Sequence, residues 1–229
     1  MFYLDGNILF LQIEKFNFSS IKGSVKNLKH ELISIIKSLR DLELRLFNEQ
    51  DMKIDHFFSF LKVNYKEFDN FNTAATSADG NCFYNSISLY LLGNEEFSYV
   101  LRLAVLFIIF ENEQYFRNLI NFSYGEQKLN DMVVSISTDK NWANEYEIHA
   151  MSIALNRPIN VYSTNEKNRL FISHQYYGHE YQLKRSTISI LHRLNHYAAL
   201  VPLYLNIKHP ETLGNQFIRF QLKNFKNYS

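Results

Sequence analysis

The most informative segment of this sequence is Asp79-Gly80-Asn81-Cys82-Phe83-Tyr84-Asn85-Ser86-Ile87. Cys82 lies where a polar stretch gives way to apolar residues at helical spacing, which predicts the first turn of a helix there. Unpaired N–H groups and the helix dipole stabilise a thiolate at that position, and the thiolate is the nucleophilic form of cysteine. Gly80 permits backbone conformations closed to other residues, and the N–H groups of residues 79–82, including Asn81, are candidates for an oxyanion hole. A buried structural cysteine after an ordinary turn is the alternative interpretation.

A cysteine nucleophile needs a base, and His196 is the best candidate among the eight histidines. It opens an apolar run, residues 197–201, that predicts a strand, and a strand edge holds an imidazole in a fixed orientation. His192 and His196 would chelate a metal only on a helix, whereas a turn is expected between them. His174 and His179 lack accompanying ligands, so neither a metal nor another cofactor is predicted.

The composition is that of an ordered globular protein in a reducing compartment. A chain of 229 residues can form one large core, and its single cysteine allows no internal disulfide. The net charge of +1 provides no field for binding nucleic acid. The first ten residues lack the basic region of a secretory signal, and the apolar run 103–110 is too short to span a bilayer. We therefore expect a cytoplasmic monomer without a nucleic-acid partner or a membrane span.

Hydrophobic spacing predicts helices in the first part of the chain and strands afterwards. A helical hairpin is expected over residues 24–68, starting at Ser24, followed by a polar linker at 70–78. Further helices are predicted at the nucleophile and at 97–110, 112–121 and 142–155; strands are predicted at 159–162, 170–172, 188–191, 197–203 and 217–222. This order indicates an α+β protein whose helices flank a small, mostly antiparallel sheet.

Four motifs together resemble one family. Residues 79–86 are similar to the nucleophile motif of the ovarian-tumour (OTU) cysteine proteases. Leu101-Arg102 with its helix, Trp142 with the helix and strand that follow, and Asn195-His196-Tyr197 resemble the later motifs of that family, in the same order. The resemblance covers residues 73–205.

The resemblance implies a papain-like, three-layer α/β fold and hydrolysis of ubiquitin linkages, mainly isopeptide bonds to lysine. Cys82 would be the nucleophile, and His196 would be the general base and then the acid toward the leaving amine. Asp79 would be a triad-like or a loop-shaping carboxylate. Ubiquitin or polyubiquitin would be the partner. The expected division is an N-terminal extension (1–72) that braces the domain or binds ubiquitin, a catalytic domain (73–205) and a tail (206–229).

One departure concerns the residue that orients His196. Many family members carry Asn or Asp two residues after the histidine, where this chain has Ala198. Asp79 is the favoured substitute; Asn195, Asp69, Asn70 or no residue at all are the alternatives. Trp142 and Tyr197 are each expected either to pack in the domain or to line a channel for the Gly-Gly tail of ubiquitin.

Three functions are compatible with the resemblance, and Ala198 is the best support for an inactive protein. The chain is an active deubiquitinase, a weak or inactive OTU-like module that binds ubiquitin, or a protease for a ubiquitin-like modifier.

The richness of the chain in Asn, Lys, Ile, Phe and Tyr is typical of an AT-rich genome. In an intracellular bacterium the protein would be an effector secreted into the host cytosol.

Overall fold

A computed structural model describes residues 3–4, 7–8, 17–42, 53–55, 71–124, 127–164, 170–176, 186–193 and 195–202. The described helices are α1 (Phe18–Asn27), α2 (Lys29–Asp41), α3 (Cys82–Leu92), α4 (Ser98–Glu111), α5 (Glu113–Tyr124), α6 (Gln127–Ser137) and α7 (Glu145–Leu155). The strands are β1 (Tyr3–Leu4), β2 (Asn7–Ile8), β3 (Phe71–Ala74), β4 (Ile159–Thr164), β5 (Leu170–Tyr176), β6 (Ile188–Arg193) and β7 (His196–Pro202). Among these residues, no helix is long and apolar enough to cross a membrane.

The main sheet has five strands in the order β3-β7-β6-β4-β5. Only the β4–β6 pair is parallel, and the other neighbours are antiparallel. Consecutive residues are buried in β6 (188–191) and in β7 (197–201), so both faces of these strands are covered. This sheet, with helices around it, confirms the predicted α+β, papain-like fold class.

Helices α3 and α4 are apolar on nearly all sides and form the centre of the core. Every residue of α3 except Leu89 is buried, and α3 packs against β7. Helix α4 packs between α3 and α7. A helix that is hydrophobic all round belongs in an interior. Helix α3, which begins at Cys82, is therefore held against β7, which begins at His196.

Helices α1 and α2 pack on this core rather than standing apart from it. Their apolar stripe is buried against α4, α6 and α7 and consists of Ile21, Val25, Leu32, Ile36 and Leu39. Burying one such side chain contributes about 1.5–3 kcal/mol. Arg40 also donates to the carbonyl oxygens of Ala154 (2.8 Å) and Ile153 (3.1 Å), at the end of α7. The N-terminal helices thus pack on the core formed by the later helices.

Several element boundaries differ from the sequence predictions. The first helix begins at Phe18, where the Asn17 side chain accepts a hydrogen bond from Ser20 N–H, and not at Ser24. Ile54, predicted at the start of the second hairpin helix, is extended and bridges Ala74. The remainder of that helix, 56–68, and the strand at 217–222 lie outside the described residues.

Four described elements were not predicted, namely β1, β2, β3 and α6. Strand β3 occupies the beginning of the expected polar linker, because pairing with β7 satisfies the backbone of a segment whose sequence is polar. Helix α6 lies between two predicted helices, where no element was expected, although Leu129, Val133 and Ile136 have helical spacing and are buried. For β3 and α6, a tertiary partner decides what a weak local pattern leaves open.

Candidate active site

Cys82 is the first residue of α3, as predicted, and only 2% of its surface is exposed. Asn85 N–H donates to Asn81 O at 2.8 Å and closes the first helical turn. The N–H groups of this turn have no partner within the helix, and the positive end of the helix dipole lies at the sulfur.

His196 opens β7 after a tight turn in which Asn195 has a φ of 64°. Its Nε2 lies 3.5 Å from Oδ2 of Asp55, and the imidazole also forms a hydrogen bond with Cys82. The bond with Asp55 and then that with Cys82 raise the pKa of His196 from 6.5 to about 9, although burial opposes this shift. The imidazole is therefore protonated at neutral pH, next to the thiol.

Asp55, which no sequence motif singles out, is held at the edge of the sheet. Its N–H donates to Thr73 O at 2.8 Å, and its own carbonyl accepts from the Thr73 hydroxyl at 3.0 Å. Lys53 O accepts from Ala75 N–H at 2.8 Å. The backbone on both sides of Ile54 is thus fixed to β3, and the Asp55 carboxylate, with 12% of its side chain exposed, is presented to His196.

Asp79, the favoured orienter, has contacts within its own loop. Its Oδ1 accepts from Asn81 N–H at 2.9 Å and from the Asn85 side-chain amide at 3.2 Å. These bonds shape the turn before the nucleophile. They also engage the Asn81 N–H, which narrows the candidates for an oxyanion hole to the other N–H groups around Cys82.

No residue with a side chain fits at the position of Gly80. Its φ is +83°, and a Cβ added there would lie 1.8 Å from the carbonyl oxygen of Lys140. The loop before Cys82 therefore packs directly on the connection between α6 and α7, and only a residue without a side chain allows this approach.

The two aromatic candidates occupy different environments. Tyr197 is 8% exposed; its ring contacts Phe83 edge-on at 5.7 Å and stacks on His192 at 4.5 Å. Trp142 precedes α7 and is 58% exposed, so the expectation that it packs between helix and sheet is wrong. Helix α7 begins three residues after Trp142, at Glu145, and is capped by Asn144 with Glu147 as the partner in a capping box.

No group of three or more metal-ligating side chains occurs in the described part of the chain.

The sequence model of one protein family, described as OTU-like cysteine protease, matches residues 77–198, just over half of the chain. This chain belongs to the OTU family. Asp55 lies outside the matched residues, which explains why the family pattern alone does not reveal it.

Solved structures of OTU domains are similar to this chain. The OTU domain of OTUD1 is 21% identical, and the match covers 61% of this chain and 96% of that chain with a TM-score of 0.50. The viral OTU protease of Dera Ghazi Khan virus is 15% identical (72% and 98% covered, TM-score 0.49). The Hazara virus OTU, solved bound to ubiquitin, is 23% identical (59% and 84% covered, TM-score 0.38). The search of curated proteins found no significant match.

Proposed function

We propose that this OTU protein is a deubiquitinase that hydrolyses isopeptide bonds of ubiquitin conjugates through Cys82. The family supports a thiol hydrolase, and ubiquitin is the substrate class that membership suggests. The observation that carries the proposal is that one imidazole, His196, contacts both the only cysteine of the chain and a carboxylate. A nucleophile, an acid–base group and an orienting group are the parts that such a reaction requires.

The proposed reaction starts from the Cys82 thiolate and the His196 imidazolium. The thiolate attacks the carbonyl carbon of the C-terminal ubiquitin residue, and the oxyanion formed is stabilised by N–H groups at the start of α3. His196 gives its proton to the lysine amine as the C–N bond breaks, which leaves a thioester. Neutral His196 then takes a proton from the water that attacks the thioester, and Cys82 leaves as thiolate.

Asp55 would orient His196 and stabilise its protonated form. Ala198, which occupies the position where many family members carry Asn or Asp, has no side-chain group for this role. Since Nε2 faces Asp55, Nδ1 is the nitrogen left for the thiol. Asp79 would organise the nucleophile loop through Asn81 and Asn85. The inactive ubiquitin-binding alternative rested on the missing orienter, and the placement of Asp55 speaks against it.

We also propose that the extension, residues 1–72, is required for catalysis and does not only bind substrate. It carries Asp55, and α1 and α2 cover apolar surface of α4, α6 and α7. Removal of the extension would therefore expose core and remove a site residue together. Trp142, exposed after the loop that contacts Gly80, is the proposed aromatic contact for the ubiquitin tail.

A ubiquitin probe with an electrophilic C-terminus tests the function directly. The wild type should be labelled, Cys82→Ala should not, and Asp55→Ala should be labelled about 100-fold more slowly, because the base is no longer oriented. Asp131→Ala, which changes an exposed aspartate in α6, is the matched control and should react like the wild type.

The alternatives predict other results with the same probe. Tight non-covalent binding without labelling would indicate a ubiquitin-binding module. Labelling by a probe made from a ubiquitin-like modifier, but not by the ubiquitin probe, would indicate a protease for that modifier. Either result would contradict the proposed deubiquitinase.

A further inference from the structure

Arg102, in α4, is the largest side chain that is fully buried in the described residues. Burying an unpaired guanidinium costs several kcal/mol, so its N–H donors need acceptors. An apolar residue of similar volume would fill the same space without that cost. What the guanidinium contacts therefore indicates why an arginine is useful at this position.

Two of its acceptors are the consecutive residues immediately before Cys82. Nε donates to Asn81 Oδ1 at 2.9 Å, and Nη2 donates to Gly80 O at 3.3 Å. The other two are backbone carbonyls on the opposite side of the loop: Nη1 donates to Ile136 O at 3.2 Å, and Nη2 donates to Asn141 O. The fork thus joins the nucleophile loop to the end of α6 and to the segment that follows it.

The Asn81 side chain completes this connection. Its Oδ1 also accepts from Lys140 N–H at 3.3 Å, and its Nδ2 donates to Asp139 Oδ1 at 2.9 Å. Although Asn81 is the residue before α3, its side chain does not cap that helix. These bonds join the Asn81 side chain to Arg102 and to residues 139–140, which is the arrangement expected for an anchor of the loop.

The planar face of Arg102 is also occupied. The guanidinium carbon lies 4.3 Å from the centre of the Tyr84 ring, a cation–π arrangement. The Tyr84 hydroxyl donates to Glu147, which is likewise buried. The fork is therefore held from above and around its edge, and its orientation is fixed by α3 and α7 together.

We propose that Arg102 is a positioning residue for the nucleophile: by binding Gly80 and Asn81 it sets the backbone that places Cys82 against His196. This rests on the proposed function for its kinetic test but not for its chemical test. A displacement of about 1 Å at a reacting atom can reduce a rate about 100-fold. Lysine, whose three N–H donors share one nitrogen, cannot replace a planar fork whose three nitrogens bind acceptors on both sides of the loop.

The test compares Arg102→Lys with Arg157→Lys. Arg157 is also buried, at 4% exposure, and its guanidinium donates to Leu42 O, so the control makes the same change at a comparable depth. Melting temperature, kcat and KM for a fluorogenic ubiquitin C-terminal amide are measured for both. We expect Arg102→Lys to lower kcat about 100-fold with KM within about twofold, and Arg157→Lys to keep kcat within about threefold.

Equal losses of kcat at equal losses of melting temperature would overturn the proposal, because Arg102 would then be merely structural. If Arg102→Lys does not fold, Asn81→Ala removes the loop acceptor and leaves α4 unchanged. An approximately tenfold loss of kcat in that variant is expected, and wild-type kcat would overturn the proposal.

A chemical readout separates this proposal from the proposed function. Because Cys82 is the only cysteine, iodoacetamide alkylation reports on it alone. At pH 7, Arg102→Lys should be alkylated about tenfold more slowly than Arg157→Lys, since the thiolate loses its place beside His196. Equal rates would overturn the positioning role. If the wild type cleaves no ubiquitin substrate while the two variants still differ in alkylation rate, the proposed function is refuted and the positioning role stands.

Discussion

The two sides of the candidate site are built differently. Cys82 follows a loop that is held by the α6–α7 connection and by buried Arg102, and the last residues of this loop, Gly80 and Asn81, are buried. His196 is 23% exposed and is oriented by Asp55, which comes from a segment far earlier in the chain. The nucleophile side is fixed by several buried hydrogen bonds, whereas the orientation of His196 depends on the carboxylate of Asp55. Changes at the first should therefore disturb geometry, and changes at the second should disturb protonation.

The largest effect is expected for Gly80→Ala. The new Cβ would meet Lys140 O at 1.8 Å, and φ of +83° is strained for alanine, so the loop must move away from the α6–α7 connection. We expect ubiquitin-probe labelling to fall at least about 1,000-fold, because thiol and imidazole separate.

Gly23→Ala is the control for this change. Gly23 lies within α1 with nothing within 4 Å of an added Cβ, so alanine should keep activity and stabilise the helix by up to about 1 kcal/mol. Labelling of Gly80→Ala at the rate of Gly23→Ala would show that the nucleophile side is not rigid.

A smaller effect is expected for Asp79→Ala. Its loss removes acceptors for Asn81 and Asn85, and kcat should fall about tenfold, or about 1.4 kcal/mol. The alkaline limit of activity should stay near pH 9, because Asp55 still holds the His196 proton. A shift of that limit to lower pH would assign Asp79 to the histidine side and remove the distinction between the two sides.

The smallest effect on activity is expected for Glu147→Gln, which changes a buried residue that accepts a hydrogen bond from Tyr84. Burial raises the pKa of Glu147 to about 7, partly offset by Tyr84 and Arg102. The native state therefore binds more protons than the unfolded state between about pH 4.5 and 7, and stability falls as pH rises through that range. The glutamine variant should lose this contribution to the pH dependence of unfolding in denaturant. An unchanged dependence would show that Glu147 is ionised throughout.

The same contrast explains what the sequence could predict. The nucleophile loop and the strand of His196 are readable because each combines a local pattern with a short motif. Asp55 was not found because Ile54 and the apolar residues after it have helical spacing, while the backbone at 53–55 pairs with β3. That pairing depends on partners about 20 residues away, which no local pattern encodes. Arg102 belongs to a sequence motif, but only the fold shows that its guanidinium is buried and binds the loop before Cys82.

The central claim is that Asp55 holds His196 in its protonated form beside Cys82. The most direct test is an NMR titration of the imidazole C2–H of His196, assigned by comparison with His196→Gln, in the wild type and in Asp55→Asn. We predict a pKa of about 9 in the wild type and a clearly lower pKa in the variant, since the strongest cause of the shift is removed. A wild-type pKa near 6.5, or one that Asp55→Asn leaves unchanged, would contradict this account.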